Sequence, residues 1–359
     1  MVVDLESARL LFDGQRLAQA REYQGLLKGE LAVRVGVTPA AIGQFEAGVA
    51  RPSAATLGRL AMALQVPVGY FAKGRRQFEL AEDETHFRSL RSATKRDRSQ
   101  ARSQVERLAE IVAVLEDRVR LPAVDLPEIP VGTTPDDAAR LVRSEWHLGE
   151  GPIANMVGLL ERHGVVVARL EAATDEVDAF SCWLGRRPFV ILASNKGAAD
   201  RSRFDAAHEL AHLLLHADAH PGDRAVERAA NRFGAELLVP ATTIVRELPR
   251  RVDWSAYAAL KVRWRVAIAM LLLRARDTGV ISDSAYRRAM MEINRRGWRR
   301  TEPASLGEPE APELLGLAMA LLAEKRNFSI EDLSAELSLQ PEGLRAFDEM
   351  LRPVERLAV

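Results

Sequence analysis

Residues 204–216 read FDAAHELAHLLLH, and His208, Glu209 and His212 within them spell H-E-x-x-H on an apolar helical pattern. On a helix the two histidines stand one turn apart, so both imidazoles can reach one ion from one face. Glu209 lies about 100° round the helix from His208, beside such an ion rather than among its ligands, where it can take a proton from water. Zinc suits nitrogen and oxygen donors, and a catalytic zinc takes three protein ligands with a fourth position open.

A third ligand is therefore required. The Met-turn pattern H-E-x-x-H-x-x-G-x-x-H would need Gly at 215 and His at 218, where Leu215 and Asp218 stand. His216 and His220 climb away from the ion on a continued helix and suit the helix end or the surroundings of the ligands. Glu227 is better placed, because it begins ERAAN (227–231) on the following helix and a packed second helix can supply the carboxylate of a His2Glu set. Asn231, one turn further, faces the same way and can hydrogen-bond a ligating histidine. Phe204, Leu210 and Leu214 on one helix and Val226, Phe233 and Leu237 on the other let the two pack. An isolated H-E-x-x-H also arises by chance, and histidines on apolar helices are often core residues. Against that reading stand the cost of burying His-Glu-His without a cation and the second signal on the next helix.

Composition bounds the rest. The 359 residues suffice for two or three domains, and 47% hydrophobic with 28% charged residues is the balance of a soluble globular protein. The opening MVVDLESARLLFDG lacks a basic segment before an apolar one, which predicts no secretory signal. The apolar runs VAIAMLLL (266–273) and LGLAMALLA (315–323) are too short to span a bilayer, so a cytoplasmic protein without membrane contact is expected. Cys182 is the single cysteine, which excludes an internal disulfide and a cysteine-based zinc site. Net charge is zero but unevenly spread. Residues 13–76 carry nine Lys/Arg against four Asp/Glu, residues 246–300 fourteen against five, and residues from 301 five against twelve. The basic stretches can face an anionic partner or be solvated helix faces, and the acidic tail can fold against them.

Residues 13–72 read as short helices broken at Gly25, Gly36, Gly48 and Pro52, with Thr38 and Pro39 as cap and first turn of one of them. A charged connector follows, ending in an amphipathic helix from Val105 to Val119, and then prolines at 122, 127, 130 and 135 mark a linker. Helices are expected at 136–147 and 152–163, strands at 165–170 and 188–193 with AFSCWLG as a third, then the two motif helices, and helices throughout after 253. No internal repeat is apparent.

RSRFDAAHELAHLLLH followed by VERAANRFGAELLVP resembles the ImmA/IrrE family of zinc metallopeptidases, as does the strand pair in DAFSCWLGRRPFVILASN. Separately, ELAVRVGVTPAAIGQFEAG and PSAATLGRLAMALQVPVGYF resemble an XRE-type helix-turn-helix, the lambda-repressor-like domain. The connector HFRSLRSATKR and ALKVRWRVAIAMLLLRARDTGVIS fit the same fused architecture, and the likeness fades after about 300. This resemblance implies a zinc endopeptidase that cleaves a regulatory protein, such as a DNA-bound repressor. By matching positions it implies His208, His212 and Glu227 as ligands and Glu209 as base. Ala211 and Gly234 depart from the family's usual Gly and Ala without removing a ligand.

The helix-turn-helix resemblance makes Thr38 to Ala47 the recognition helix, lying in the major groove. Its inventory is thin: Gln44 can pair with adenine, and Ala40 or Ala41 can touch a thymine methyl. Lys28, Arg34 and Arg51 supply backbone contacts, so affinity should be salt-sensitive. A rival reading has this domain bind another helix-turn-helix protein.

The expected fold is mainly α with a small β-sheet: a lambda-repressor-like all-α N-terminal domain, a zincin-like α+β peptidase domain and a helical C-terminal region. The expected divisions are a helix-turn-helix domain at 10–75, a charged helical connector and Pro-rich linker at 76–135, a metallopeptidase domain at 136–245 and a helical region at 246–359. The expected function is a homodimeric, DNA-binding transcription regulator whose Zn2+-dependent domain hydrolyses a repressor or antitoxin-like protein. The site set is Glu209 as base, His208, His212 and Glu227 on zinc, Asn231 behind them, and Lys28, Arg34, Thr38, Ala40, Gln44 and Arg51 toward DNA. The alternatives are a peptidase-like domain that only senses a ligand or partner, or a toxin–antitoxin component. No oxyanion-stabilising residue is assigned.

Overall fold

Side-chain caps start the N-terminal helices where the sequence supplies them. In a computed structural model of the chain, α1 (Leu5–Leu10) precedes α2 (Gly14–Tyr23), α3 (Lys28–Val35), α4 (Pro39–Glu46) and α5 (Ala54–Leu64). Asp13 accepts from the Gln15 amide at 3.0 Å, Thr38 from Ala41 at 3.1 Å and Ser53 from Thr56 at 3.2 Å, each satisfying a helix-start donor. Between α3 and α4 the chain reverses through Gly36 at φ 68, a conformation glycine adopts without a Cβ clash. Leu17, Leu31, Val35, Ile42, Leu57 and Leu60 face inward and are buried. The structure describes residues 5–72, 78, 80, 94–170, 179–194, 198–215, 223–299 and 301–353. The first part of the connector expected at 76–135, including HFRSLRSA of its quoted stretch, lies largely outside the described residues.

The connector's helix, α6 (Lys95–Glu116), begins well before Val105. Thr94 and Asp97 form a capping box there: Asp97 donates its amide to Thr94 Oγ1 at 3.2 Å, and Thr94 returns its own to Asp97 Oδ2 at 3.0 Å. The helix lies on α2, where Ser103 donates to the Gln19 carbonyl at 3.0 Å and buried Arg16 pairs with Glu110.

Next come α7 (Pro135–Glu145), α8 (Met156–Arg162), β1 (Val166–Leu170), β2 (Ala179–Leu184), β3 (Arg187–Ala193), α9 (Ala199–Leu215) and α10 (Arg224–Leu238). The strands form a sheet in the order β1-β3-β2, with β1 parallel and β2 antiparallel to β3. Among the described residues, strand alternation divides two apolar cores. Val166, Ala168, Phe180, Cys182, Phe189 and Ile191 face a core shared with the N-terminal helices and α6. Val167, Ala179, Val190 and Leu192 face a core shared with α7–α10.

The remaining helices are α11 (Ala241–Ile244), α12 (Trp254–Trp264), α13 (Ile268–Asp277), α14 (Asp283–Arg295), α15 (Leu314–Arg326), α16 (Ile330–Glu336) and α17 (Asp348–Leu351), with a 3-10 turn at Pro341–Phe347. They divide between the cores: α12–α14 join the one that contains α9, and α15–α17 join the one that contains α2 and α6. The segment between these groups is anchored by carboxylates. Glu302 accepts from the Ile268 amide at 2.7 Å, capping α13, and pairs with buried Lys261 at 2.8 Å. Glu310 accepts from Met156 at 2.8 Å and Val157 at 3.1 Å at the start of α8. Glu161, on α8, reciprocates by accepting from Glu313 at 3.0 Å and Leu314 at 3.1 Å at the start of α15. Among the described residues no helix is long and apolar enough to cross a membrane.

Burial raises the Glu161 carboxyl from its ordinary 4.5 to about 7, against the opposing pull of those two amides. The native state thus holds this proton where the unfolded chain has released it. The stability Glu161 contributes is fully present below about 4.5 and is lost as pH rises through about 7, with an upper bound of about 3 kcal/mol. Denaturant midpoints at pH 5 and pH 8 should therefore differ less in Glu161→Gln than in the parent protein. An unchanged difference would contradict this reading.

Candidate metal centre

The motif histidines stand on the inner face of α9, which packs over β2 and β3 and against α10. The His212 side chain is 3% exposed, Glu227 9% and His208 15%, so the trio is largely buried and can be approached from the His208 side. His208 Nε2 lies 3.3 Å from Glu227 Oε2, and His212 Nε2 lies 3.8 Å from Glu227 Oε1. The two Nε2 atoms are 3.0 Å apart. One ligand atom from each of the three residues falls within 4.8 Å of the others. Asn231, one turn beyond Glu227, puts Oδ1 3.1 Å from His208 Nδ1. With the Nδ1 proton donated there, the lone pair of His208 is on Nε2, facing His212 and Glu227.

Two imidazole nitrogens and a carboxylate converging this closely form a donor set that fits zinc, and without a cation the two nitrogens could be reconciled only by a shared proton. Burial pulls the His208 imidazolium down, but the Glu227 hydrogen bond and the Glu209, Glu227 and Asp205 carboxylates outweigh it, and the balance is upward.

Glu209 is not one of the converging donors. Its carboxylate accepts from Ser181 Oγ at 2.7 Å, and the same hydroxyl lies 3.2 Å from its carbonyl. Burial raises the Glu209 carboxyl to about 7, opposed by the His208 charge and the Ser181 hydrogen bond. Ser181 pairs with Val190 in the sheet and so shares the face that looks toward α9. Sequence reasoning did not reach it, and the one signal was a lone hydroxyl in the apolar run AFSCWL. Arg203, five residues before His208, holds the motif helix in place. It is buried and donates to the Ile153 carbonyl at 2.6 Å while pairing with Glu310, which fixes α9 against α8 and the C-terminal segment. His216, Asp218 and His220 lie outside the described residues.

Among known families, residues 17–71 match the one described as Helix-turn-helix, and residues 160–276 match the peptidase M78 family, described as the IrrE N-terminal-like domain. The chain joins both in one polypeptide. The second match runs from α8 through the sheet and the motif helices into α13, a span that includes His208, His212 and Glu227. No curated protein matches the chain.

The helix-turn-helix domain places Lys28, Arg34, Thr38, Ala40, Gln44 and Arg51 all on the surface. Their states differ. Lys28 Nζ lies 3.0 Å from Glu46 Oε2, and the Thr38 hydroxyl is engaged in capping α4. Gln44 and Ala40 project from α4, with Arg34 and Arg51 exposed near its two ends in sequence.

Gly234, on α10, crosses α9 beside the site. A Cβ there would meet Phe204 Cε2 at 3.4 Å and the His208 amide at 3.5 Å, which is ordinary contact. Gly234→Ala should therefore recover helix propensity, raising stability by up to about 1 kcal/mol in thermal or denaturant unfolding. Destabilisation would mean that α9 and α10 are packed too tightly at this crossing to admit a methyl group.

Proposed function

We propose that this chain is a DNA-binding transcription regulator whose second domain is a zinc-dependent endopeptidase acting on a partner regulatory protein of repressor or antitoxin type. The observation that supports the reading is the separation of the motif side chains on one helix turn. His208 and His212 converge with Glu227, while Glu209 is held apart from them by Ser181. His208, His212 and Glu227 would hold the ion. When bound, zinc supplies Lewis acidity that polarises a scissile carbonyl and acidifies water near neutral pH.

The chain's own groups do the rest. Glu209, adjacent to His208 and oriented through Ser181, takes a proton from the attacking water and returns it to the leaving amine. Asn231 fixes the His208 tautomer that presents Nε2. Burial of the trio excludes bulk water and strengthens each of these interactions. The helix-turn-helix domain would bring the enzyme to duplex DNA, where a homodimer reads two half-sites and a DNA-bound substrate is met.

Purified protein should carry one zinc per chain by elemental analysis, and His208→Ala and Glu227→Ala should lose it. Glu209→Gln should keep the metal while cleavage falls by roughly 10²–10⁴. The substrate is found by comparing protein termini in cells that carry the parent enzyme or Glu209→Gln. A terminus that persists with Glu209→Gln is not made by this mechanism, and the absence of any difference would favour a non-catalytic sensor.

On the DNA side, Arg34→Ala and Arg51→Ala should each weaken duplex binding and lower the slope of log affinity against log salt by about 1. Lys28→Ala should do less, because Glu46 already engages that ammonium. Equal losses at all three positions would show that the Lys28–Glu46 pair opens on binding.

A further inference from the structure

We infer that residues 314–348 form a second helix-turn-helix unit, in register with residues 12–46, and that its reading end is occupied by protein rather than nucleic acid. The register is visible in the backbone. In the first unit two helices end in left-handed residues, Gly25 at φ 62 and Gly36 at φ 68. In the second, left-handed conformations fall at Asn327 (φ 49) and Ser338 (φ 48), each displaced by the same 302 positions. A single helix end of this kind is common, and Gln65 and Arg265 provide others. Two in succession at one spacing, with matching caps and interior, are not.

The caps do match. Glu30 accepts from the Leu27 amide at 2.7 Å, and in the equivalent place Asp332 accepts from Ser329 at 2.9 Å. Pro39 follows the cap residue Thr38, as Pro341 follows Gln340. The interiors agree as well: Leu31, Val35 and Ile42 correspond to Leu333, Leu337 and Leu344, all buried, and Phe45 corresponds to buried Phe347.

The surfaces diverge. Where the first unit exposes Arg34 and Ala40, the second exposes Glu336 and Glu342, and Ile330 takes the place of Lys28. Asp348 and Glu349 add negative charge, with Arg345 as the cation among them. Such a face repels a phosphate backbone. Its reading end is also engaged. The carbonyl of Gly343, the counterpart of Ala41, accepts from Arg107 Nη1 at 3.3 Å and lies 3.5 Å from the Tyr23 hydroxyl. The Arg107 guanidinium is stacked 3.4 Å over the Tyr23 ring. Glu336, the counterpart of Arg34, is paired with Arg118 at the end of α6. The second unit thus spends on α2 and α6 the positions that the first keeps open, and the two units grip α6 together.

Hydrogen exchange on the full chain tests this in two arms. Arg107→Met should speed amide exchange by about tenfold in peptides from 329–348 and from 14–24, leaving 199–215 unchanged. Glu336→Gln should act in the same direction more weakly, and serves if Arg107→Met does not fold. Unchanged exchange at 329–348 in both variants would overturn the docking. In the second arm, mixed-sequence duplex DNA at low salt should protect 34–51 and not 336–346. Protection at 336–346 would overturn the assignment of that face to protein. This second arm rests on the proposed DNA binding, whereas protection nowhere would refute DNA binding and leave the first arm to decide the docking.

Discussion

A guanidinium removed from water has to be met by acceptors or it destabilises the fold by several kcal/mol, and Arg203 imposes that condition on the helix that bears the candidate metal site. Its side chain is 1% exposed. Its two terminal nitrogens meet the condition by reaching the Ile153 and Ala154 carbonyls before α8 and the Glu310 carboxylate in the C-terminal segment, while Nε is buried without a partner among the described residues. Glu310 in turn caps α8, and its carbonyl accepts from Arg169 of β1 at 2.8 Å. One buried charge therefore ties α9, α8, β1 and the chain that leads to α15. His208 follows Arg203 on the same helix, so its position inherits the rigidity of this network.

The sheet works in the same way through alternation rather than charge. A strand buried on both sides must send successive side chains into different cores, and here those cores contain the two functional regions. Phe180 and Cys182 face the core that includes the helix-turn-helix domain, whereas Ser181 between them faces α9. A one-residue slip of β2 would move the hydroxyl away from Glu209 and drive an aromatic ring toward it. Register in the sheet is thus a condition on the orientation of the carboxylate, although no strand contributes to the donor trio.

The parts legible in the sequence were those whose physics is local. H-E-x-x-H and E-x-x-x-N are face-sharing patterns on single helices, and only the packing of the two helices had to be supposed. The strands and the cap at Thr38 are likewise short-range. Ser181 was illegible because its partner is 28 residues away across an element boundary. Glu302 and Glu310 sat in a Pro-rich acidic stretch that reads as solvated loop, and only the folded chain shows them capping α13 and α8. The early start of α6 could have been read from Thr94 and Asp97, but the charged surroundings hid the capping box. The repeat was hidden for a different reason. Its two copies retain left-handed residues, caps and apolar positions, while the exposed residues that dominate a sequence comparison differ.

That division between conserved interior and altered exterior explains how one small fold can occur twice in a chain with opposite partners. Leu31 and Leu333 or Phe45 and Phe347 fix the angle between helices, and nothing in that interior refers to DNA. Partner choice is left to a few exposed positions, and the electrostatic term there is large enough to decide it. The first unit is itself restrained. Glu46, held by Arg21 at 2.5 Å, also engages Lys28, so its acidic side chain removes one cation from the phosphate-facing set. With Lys28 engaged and Thr38 capping, Arg34 and Arg51 are left as exposed cations flanking α4 in sequence, with Ala40 and Gln44 exposed on the helix itself. A surface this spare favours modest electrostatic affinity for each copy of the domain.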